Sequence, residues 1–361
     1  MASCVVLLSG GLDSILAARV LMEQGIHVTG VNFAGAYCPV RLGEKSNAEK
    51  AAEQLGIELV RLPIDQEFIE MVKAPRYGRG KNMNPCIDCH ILMVRRAWEF
   101  GQARSKNAGR ATRGAAVGRS SEAGSGDCFV ATGEVLGQRP MSQNRQALAI
   151  VARRSGAEGY LLRPLSARLL KPTIPEQKGV VDREKLLDIQ GRGRQRQMEL
   201  AAQYGITDYP APAGGCLLTD AGYAARLREA LAHREDSVAM VELLSFGRHF
   251  RLPSGGKVIV GRNRLENEEL LQRVRGKAVR AVVVDAQHLP GPVALLLPSV
   301  RSDESDRLLA ARLCARYSDR RKESRVTLLV GGERLEVEPA SAKEADALLV
   351  RSEVSDRAGT A

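Results

Sequence analysis

The feature that most constrains the fold is a glycine-rich turn close to the start of the chain. Residues 5–21, VVLLSGGLDSILAARVL, run from a short apolar strand pattern through SGGLDS into an amphipathic helical pattern. Glycines at such a turn let the backbone approach an anion, and the amides and dipole of the following helix favour a phosphate there. A Walker pattern is absent because no Lys-Ser/Thr pair follows the glycines, and the residue order excludes a G-x-S-x-G elbow. The turn predicts a phosphate-binding loop made by Ser9, Gly10, Gly11, Asp13 and Ser14.

Strand and helix patterns alternate after this turn. Strand patterns lie at 4–8, 26–33, 57–62, 128–133 and 159–165, with helical patterns at 14–24 and 46–55. Alternation of this kind predicts an α/β fold with a doubly wound parallel sheet, whose ligand lies at the carboxyl ends of the strands.

Changes in composition predict the domain boundaries. Residues 1–220 form the first domain, interrupted at about 103–127 by a Gly-, Ser- and Arg-rich segment that we interpret as a flexible insertion. Residues 183–204 and 221–235 carry helical patterns, and 221–240 are interpreted as a helical linker. Short apolar runs then predict a smaller α+β domain over 241–300, followed by an α+β tail of unknown role at 301–361.

The charge of the chain points to a polyanionic partner. The formal net charge is +11 while aromatic residues make up only 4% of the 361 residues, a balance typical of proteins that bind nucleic acid. Cationic side chains are dense between residues 248 and 280, so this part is the candidate for phosphate contacts, the alternative being a solvated basic face. The predicted RNA-binding residues of this part are Arg248, Arg251, Lys257 and Arg262.

The cysteines are seven, an odd number in a chain whose start shows no signal-peptide pattern, which disfavours a disulfide framework and favours metal-binding or catalytic thiols. Cys86 and Cys89 have C-x-x-C spacing, and Cys216 follows two glycines. These three are candidate catalytic or metal-ligating residues, and a structural zinc with His90 as fourth ligand is an alternative. Four others fit apolar patterns as buried, inert cysteines: Cys4, Cys38, Cys128 and Cys314.

Several motifs resemble those of the PP-loop enzymes, the N-type ATP pyrophosphatases, which adenylate a substrate and release pyrophosphate. SGGLDS resembles their pyrophosphate loop, and VTGVNF at 28–33 resembles the second strand, whose end contacts adenine. ATGEVLGQRPMSQ at 131–143 resembles a motif of tRNA 4-thiouridine synthetases. NMNPCIDCH at 82–90 and GGC at 214–216 resemble the cysteine motifs of tRNA 2-thiouridylases.

This resemblance implies an ATP- and Mg²⁺-dependent tRNA sulfurtransferase with an adenine nucleotide alpha hydrolase-like fold. It adds Asn32, Phe33 and Gly133 to the ATP-binding residues, and Gln138, Arg139 and Gln143 to the RNA-binding residues. The enzyme would adenylate a uridine carbonyl, with Asp13 in the catalytic loop, and replace the oxygen with sulfur. The implied product is 4-thiouridine, with 2-thiouridine as the alternative, and a non-catalytic RNA-binding protein is a second alternative.

Two sulfur routes follow from the same resemblance. In one, Cys86, Cys89 and Cys216 ligate a [4Fe-4S] cluster whose fourth iron is open to sulfide. In the other, Cys216 carries a persulfide and a cysteine of the first motif completes a disulfide exchange. The donor is sulfide or the persulfide of a cysteine desulfurase.

Residues 245–272 resemble the RNA-binding domain of NFACT proteins, which implies tRNA as a partner. No run of about 18 apolar residues is present in the sequence, so we expect no membrane partner and a cytoplasmic location.

Overall fold

The computed structural model describes residues 2–35, 44–113, 128–211, 216–276, 279–286 and 291–351. They divide into two compact units, the first containing the described residues up to 211 and the second those from 216 onward.

The first unit is built on a five-stranded parallel sheet. Its strands, in the order β3-β2-β1-β4-β5, are β1 (Ser3–Leu7), β2 (His27–Ala34), β3 (Glu58–Pro63), β4 (Cys128–Ala131) and β5 (Leu161–Leu162). The helices are α1 (Leu12–Met22), α2 (Asn47–Leu55), α3 (Asp65–Lys73), α4 (Cys86–Arg113), α5 (Arg145–Arg154), α6 (Ile174–Gln177) and α7 (Gln195–Gln203). Short 3-10 helices lie at Ala167–Leu169 and Arg183–Lys185. The predicted doubly wound α/β fold is confirmed.

Alternation along β1 explains why helices cover both faces of this sheet. Cys4 and Val6 point into the main core, where they pack with residues of α1. Val5 points to the opposite face, toward α4. A Cβ atom at Gly101 of α4 would lie 2.7 Å from Sγ of Cys128, so this glycine lets the helix pack closely on the sheet.

The structure differs from the predicted secondary structure in two places. Residues 103–113, predicted as the start of an irregular insertion, belong to α4, while 114–127 lie outside the described residues. The helical pattern at 183–204 forms only a 3-10 turn and, from Gln195, α7. Two glycines separate these pieces, and Gly191 has a φ of +86°, a conformation that no helix continues through.

The second unit is an antiparallel sheet with helices, as predicted for a smaller α+β domain. Its strands, in the order β11-β10-β8-β9-β7-β6, are β6 (Arg248–Arg251), β7 (Lys257–Val260), β8 (Val282–Asp285), β9 (Ala294–Leu297), β10 (Val326–Val330) and β11 (Glu333–Val337). The helices are α8 (Ala221–Ala232), α9 (Val238–Leu243), α10 (Arg264–Arg275), α11 (Glu304–Arg316) and α12 (Ala342–Leu348), with a 3-10 turn at Leu217–Thr219. One sheet thus combines strands from 241–300 and 301–361.

Both faces of this sheet are buried, which its side-chain alternation shows. Val258 and Val260 of β7 pack with α11, and Ile259 between them packs with Leu243 of α9 and Leu270 of α10. Among the helices that the structure describes, none has the length and apolarity needed to cross a membrane.

Candidate active site

The glycine loop, residues 9–14, joins the end of β1 to the start of α1. Gly10 has a φ of +79°, and a Cβ there would lie 2.2 Å from the carbonyl carbon of Asn47. Gly11 is the N-cap of α1 and makes no side-chain capping bond. The first amides of a helix have no partner within the helix, so an uncapped glycine start suits an anion.

Two hydroxyl groups belong to this loop, and one side-chain amide binds the residue just before it. Oγ of Ser14 donates to the carbonyl of Gly11 at 2.8 Å and lies 3.3 Å from Oγ of Ser9. Nδ2 of Asn32, at the end of β2, donates to the carbonyl of Leu8 at 2.9 Å. The structure therefore brings Asn32 to the glycine loop, next to the predicted phosphate-binding residues, while the neighbouring Phe33 is buried.

A second segment packs on the glycine loop. This linking segment, residues 132–143, follows β4, and a Cβ at its Gly133 would lie 2.5 Å from the backbone nitrogen of Ser14. Its Gln138 donates from Nε2 to Oδ2 of Asp13 at 3.0 Å. The other carboxylate oxygen of Asp13, Oδ1, is buried and has no protein hydrogen-bond partner among the described residues. Gln138, predicted to contact RNA, thus holds the catalytic-loop aspartate.

The C-x-x-C pair occupies the first turn of α4. An i, i+3 spacing places Cys86 and Cys89 on one face of the helix. Burial raises the pKa of the Cys86 thiol, and the positive charge of Arg139 and the neighbouring Asn84 side chain oppose that rise. Arg139 belongs to the linking segment, which therefore contacts the glycine loop and also lies beside the cysteine pair. Gln143, at its end, is buried.

A buried ionic network also connects the linking segment to α4. Oε1 of Glu134 lies 2.7 Å from Nδ1 of His90, and Oε2 accepts from Nε of Arg163 at 2.9 Å and from Oγ1 of Thr132 at 2.9 Å. Burial by itself raises the pKa of the Glu134 carboxyl, but Arg163 and the hydrogen bond with His90 outweigh it and hold the pKa well below its usual range. An ionised carboxylate only accepts hydrogen bonds, so Nδ1 of His90 is the donor.

Sequence reasoning missed this network. The sequence predicts His90 only as a zinc ligand. Its separation from Glu134 by 44 residues matches no helix or strand periodicity that would indicate a contact. The one available signal was that Glu134 belongs to the motif at 131–143.

Cys216 is the first described residue of the second unit, and the glycines before it lie outside the described residues. In the described part of the chain, no three His, Cys, Asp or Glu side chains are placed to hold a metal ion. Cys4 and Cys314 are buried, and burial raises the pKa of both thiols, that of Cys314 to about 12. Burial also raises the pKa of Cys128, whereas Cys38 lies outside the described residues.

The predicted RNA-binding cations of the second unit fall into two groups. Lys257 is only 1% exposed, and its Nζ lies 2.8 Å from Glu229 and 3.0 Å from Glu235. Arg251 binds the same two carboxylates. Their charges are neutralised inside the unit, so we expect both residues to stabilise its packing, and their contact with RNA stays a prediction.

The other two cations are closer to solvent. The guanidinium of Arg248 lies 4.5 Å from the ring centre of Tyr317, and Arg262 pairs with Glu266 with 43% of its side chain exposed. RNA contact stays a prediction for these two residues.

Comparison with known families agrees with both resemblances. Residues 2–99 match the family model described as tRNA methyl transferase HUP domain. Residues 247–348 match the NFACT protein RNA binding domain. The first match contains the glycine loop and the cysteine pair, and the second contains most of the antiparallel sheet.

Curated relatives match about a quarter of the chain. The tRNA-specific 2-thiouridylase MnmA of Helicobacter pylori (strain G27) is 39% identical over 97 residues, which are 24% of this chain and 27% of the relative. That of Geobacter metallireducens is 30% identical over 118 residues, 27% of this chain and 32% of the relative. The chain thus spans about a quarter to a third of the length of these relatives.

Among solved structures, the U34-tRNA thiolase NcsA from Methanococcus maripaludis with its [4Fe-4S] cluster matches with a TM-score of 0.28 at 14% identity, covering 68% of this chain and 71% of that one. A TM-score this low carries no functional information.

Proposed function

We propose that this protein is an ATP-dependent tRNA thiolation enzyme that adenylates a uridine carbonyl and replaces its oxygen with sulfur. The linking segment is the observation that supports this most directly. It contacts Asp13 of the glycine loop through Gln138 and lies beside Cys86 through Arg139, so a nucleotide site and a thiol site adjoin one another within one unit. Adenylation followed by sulfur transfer needs that arrangement.

The glycine loop suits the triphosphate of ATP. Its uncapped helix start offers amides to phosphate oxygens, and Ser9 and Ser14 add hydroxyl donors. Oδ1 of Asp13, buried and without a protein partner among the described residues, fits a Mg²⁺ ion that accompanies ATP. Asn32 and Phe33 stay the predicted adenine contacts.

In the activation step, one bond to the α-phosphorus of ATP forms and another breaks. The uridine carbonyl oxygen attacks the α-phosphorus of ATP, a P–O bond forms, and the bond to pyrophosphate breaks. Charge develops on the leaving pyrophosphate, where the loop amides stabilise it. The carbonyl carbon then carries AMP as a leaving group.

The thiols supply the second step. In the persulfide route, the terminal sulfur of a Cys216 persulfide attacks the activated carbon and AMP leaves. A thiolate of Cys86 or Cys89 then attacks the remaining S–S bond, which releases thiouridine and leaves a protein disulfide that an external thiol reduces.

The cluster route needs the same cysteines as ligands. A [4Fe-4S] cluster held by Cys86, Cys89 and Cys216 would supply an open iron for sulfide. Cys86 and Cys89 belong to the first unit and Cys216 to the second, and the described residues contain no three such side chains placed for a metal, so no step is assigned to the cluster.

The relatives favour 2-thiouridine as the product. The matched curated proteins are named 2-thiouridylases. The family model that matches residues 2–99 covers the glycine loop and the cysteine pair. We therefore prefer 2-thiouridine over the 4-thiouridine that the motif at 131–143 implies. The partners of this activity are tRNA and a sulfide or persulfide donor, and its expected location is the cytoplasm.

Nucleoside mass spectrometry of tRNA tests this proposal. A strain lacking the protein should lose one thiouridine, which the intact gene restores and the Asp13→Ala variant does not. In vitro, the purified protein should release pyrophosphate from ATP only when tRNA is present. Glu158→Gln is a matched control, because this exposed carboxylate of the same unit has no recorded partner among the described residues. Unchanged thiouridines in the deletion strain would contradict the proposal.

A further inference from the structure

An open cleft in the second unit has a volume of about 700 Å³. Its walls include the turn after α8, the turn between β6 and β7, the residues just before β8 and the segment after β9. Arg234, Arg280 and Arg301 line it, together with Ser254 and Ser299. Arg280 ends the dense cationic stretch that the sequence predicts to contact phosphates, whereas Arg234 and Arg301 lie outside it.

The three arginines keep an uncompensated charge. All three are exposed, and none has an ion pair with another described residue. Two acids also line the cleft. Glu235 is bound by Arg251 and Lys257, and Asp236 has an interaction partner of its own. The cleft is therefore positive.

Other arginines of the unit are paired with acids. Arg262, Arg264 and Arg273 each pair with a glutamate on α10. A pair of this kind offers little net charge to a phosphate. The three cleft arginines have no such pair with a described residue, so they are available for an anion.

Arg234 occupies a backbone position that favours glycine. It has a φ of +59°, and its amide donates to the carbonyl of Leu231 while that of Glu235 donates to Ala230. These two bonds form a Schellman motif at the end of α8, in which glycine usually takes the left-handed residue. A left-handed non-glycine residue costs about 1 kcal/mol, so an arginine here suggests that its side chain has a use.

The turn that carries Arg301 is held in place before any ligand binds. Oγ of Ser299 donates to the carbonyl of Ser254 at 2.9 Å and accepts from the amide of Arg301 at 3.1 Å. The amide of Ser299 donates to Oγ of Ser302 at 2.8 Å. A fixed turn reduces the conformational entropy that is lost on binding.

We propose that this cleft binds the phosphodiester backbone of RNA, with one phosphate for each of Arg234, Arg280 and Arg301. Guanidinium groups match phosphate oxygens with two parallel hydrogen bonds, and three of them along one cleft fit a repeating anion better than a single phosphate. The choice of tRNA as that RNA rests on the proposed function.

Binding of the full chain to a labelled, unmodified tRNA transcript at several salt concentrations tests this. Replacing all three arginines by alanine should weaken binding roughly tenfold or more and reduce the slope of log K against log[salt] by about 2 to 3, because each phosphate contributes about 0.7 to 0.9. Arg334→Ala is the control, an exposed arginine of β11 outside the cleft with no recorded ion pair among the described residues.

Arg234→Gly separates binding from folding. Glycine suits the left-handed position, so this variant should keep or raise the melting temperature and still bind tRNA more weakly. A triple variant with the affinity and salt slope of the original protein would overturn the proposal, as would equal competition by inorganic phosphate and RNA at the same phosphate concentration. If the original protein has no thiolation activity but its salt slope still depends on the three arginines, the proposed function is rejected and RNA binding in the cleft is supported.

Discussion

Nε2 of Gln138 donates a 3.0 Å hydrogen bond to Oδ2 of Asp13, which fixes the loop aspartate from a segment 125 residues further along the chain. Under the proposed function Gln138 is a positioning residue, because it holds one oxygen of the carboxylate whose other oxygen we propose to bind Mg²⁺. Gln138→Ala should lower tRNA-dependent pyrophosphate release by about tenfold to a hundredfold, the size of effect expected when a reacting group is slightly misplaced.

Two quantities test the role of Gln138. They are the rate of pyrophosphate release at saturating ATP and the Mg²⁺ concentration that gives half of the maximal rate. A misplaced Asp13 raises that Mg²⁺ requirement, whereas loss of an RNA contact would raise the tRNA concentration needed instead. Gln203→Ala, an exposed position on α7, should change neither. A variant that alters only the tRNA requirement would instead support the predicted RNA contact of Gln138.

Gly133 is where the linking segment lies closest to the glycine loop. The Cβ of alanine would lie 2.5 Å from the backbone of both Asp13 and Ser14, so one of the two chains must shift. Gly133→Ala should therefore abolish measurable ATP binding by calorimetry. Gly193→Ala is the matched control, since nothing lies within 4 Å of its Cβ position and its φ is not positive. Wild-type ATP affinity in Gly133→Ala would remove this glycine from the site.

Much of the first unit could be predicted from the sequence because its strands are short apolar runs. β1, β2 and β3 begin and end within about one residue of the predicted runs at 4–8, 26–33 and 57–62. The 28-residue helix α4 could not be predicted, since it starts at the C-x-x-C motif and continues into Gly- and Arg-rich sequence. Its stability comes from packing against the sheet at Gly101, which local patterns do not contain.

Side-chain partners were harder to predict than backbone elements. Lys257 lies in the dense cationic stretch of the sequence, yet its neighbours Glu229 and Glu235 come from an earlier helix and turn. Charge density in the sequence therefore does not show that this lysine is paired inside the unit. Of the cleft arginines, Arg280 ends that stretch, but Arg234 and Arg301 lie outside it, so charge density does not indicate them.

The Glu134 network makes stability depend on pH. Its carboxyl has a pKa below the unfolded value, so its contribution is fully present above about pH 4.3 and is lost as the pH falls toward the folded pKa. Glu134→Gln leaves Arg163, with a side chain only 6% exposed, without its counterion. The free energy of unfolding at pH 7 should fall by about 3–5 kcal/mol.

Urea unfolding between pH 7 and pH 3 tests the predicted pH dependence of the stability that Glu134 contributes. The difference between the original protein and Glu134→Gln should shrink as the pH drops below about 4.3. Glu158→Gln, an exposed carboxylate, should change stability by less than about 0.5 kcal/mol at any of these pH values. A difference that stays constant down to pH 3 would show that the ionisation of Glu134 does not stabilise the fold.

Substitution of Lys257 tests whether this residue stabilises the fold or contacts RNA. Lys257→Ala leaves Glu229 and Glu235 with Arg251 as their remaining cation, so unfolding of the second unit should become easier by about 3–5 kcal/mol. The salt slope of tRNA binding, measured where the variant is still folded, should stay unchanged. Lys343→Ala, an exposed lysine of α12, should affect neither quantity. A slope reduced by about one would instead indicate a phosphate contact.

The three cysteines decide how sulfur reaches the activated carbon. Replacing Cys86, Cys89 or Cys216 singly by alanine should stop thiouridine formation in the cluster route, while pyrophosphate release with tRNA continues because the glycine loop is untouched. In the persulfide route Cys216 is essential, but Cys86 and Cys89 are unequal, since one resolving thiol suffices. Cys4→Ala and Cys314→Ala should leave both steps intact in folded protein, because these thiols are buried in the two cores.

Iron analysis of protein prepared without oxygen separates the routes. About four irons per chain, a broad absorption and their joint loss in each of the three variants would identify a cluster, with Cys86, Cys89 and Cys216 brought together as its ligands. Full thiolation by iron-free protein would identify persulfide transfer. A structural zinc would give colourless protein, and its removal would unfold the region around α4 instead of stopping sulfur transfer alone. Adenylation, measured as tRNA-dependent pyrophosphate release, should persist in all three cysteine variants, and its loss there would mean that the thiols take part in nucleotide chemistry.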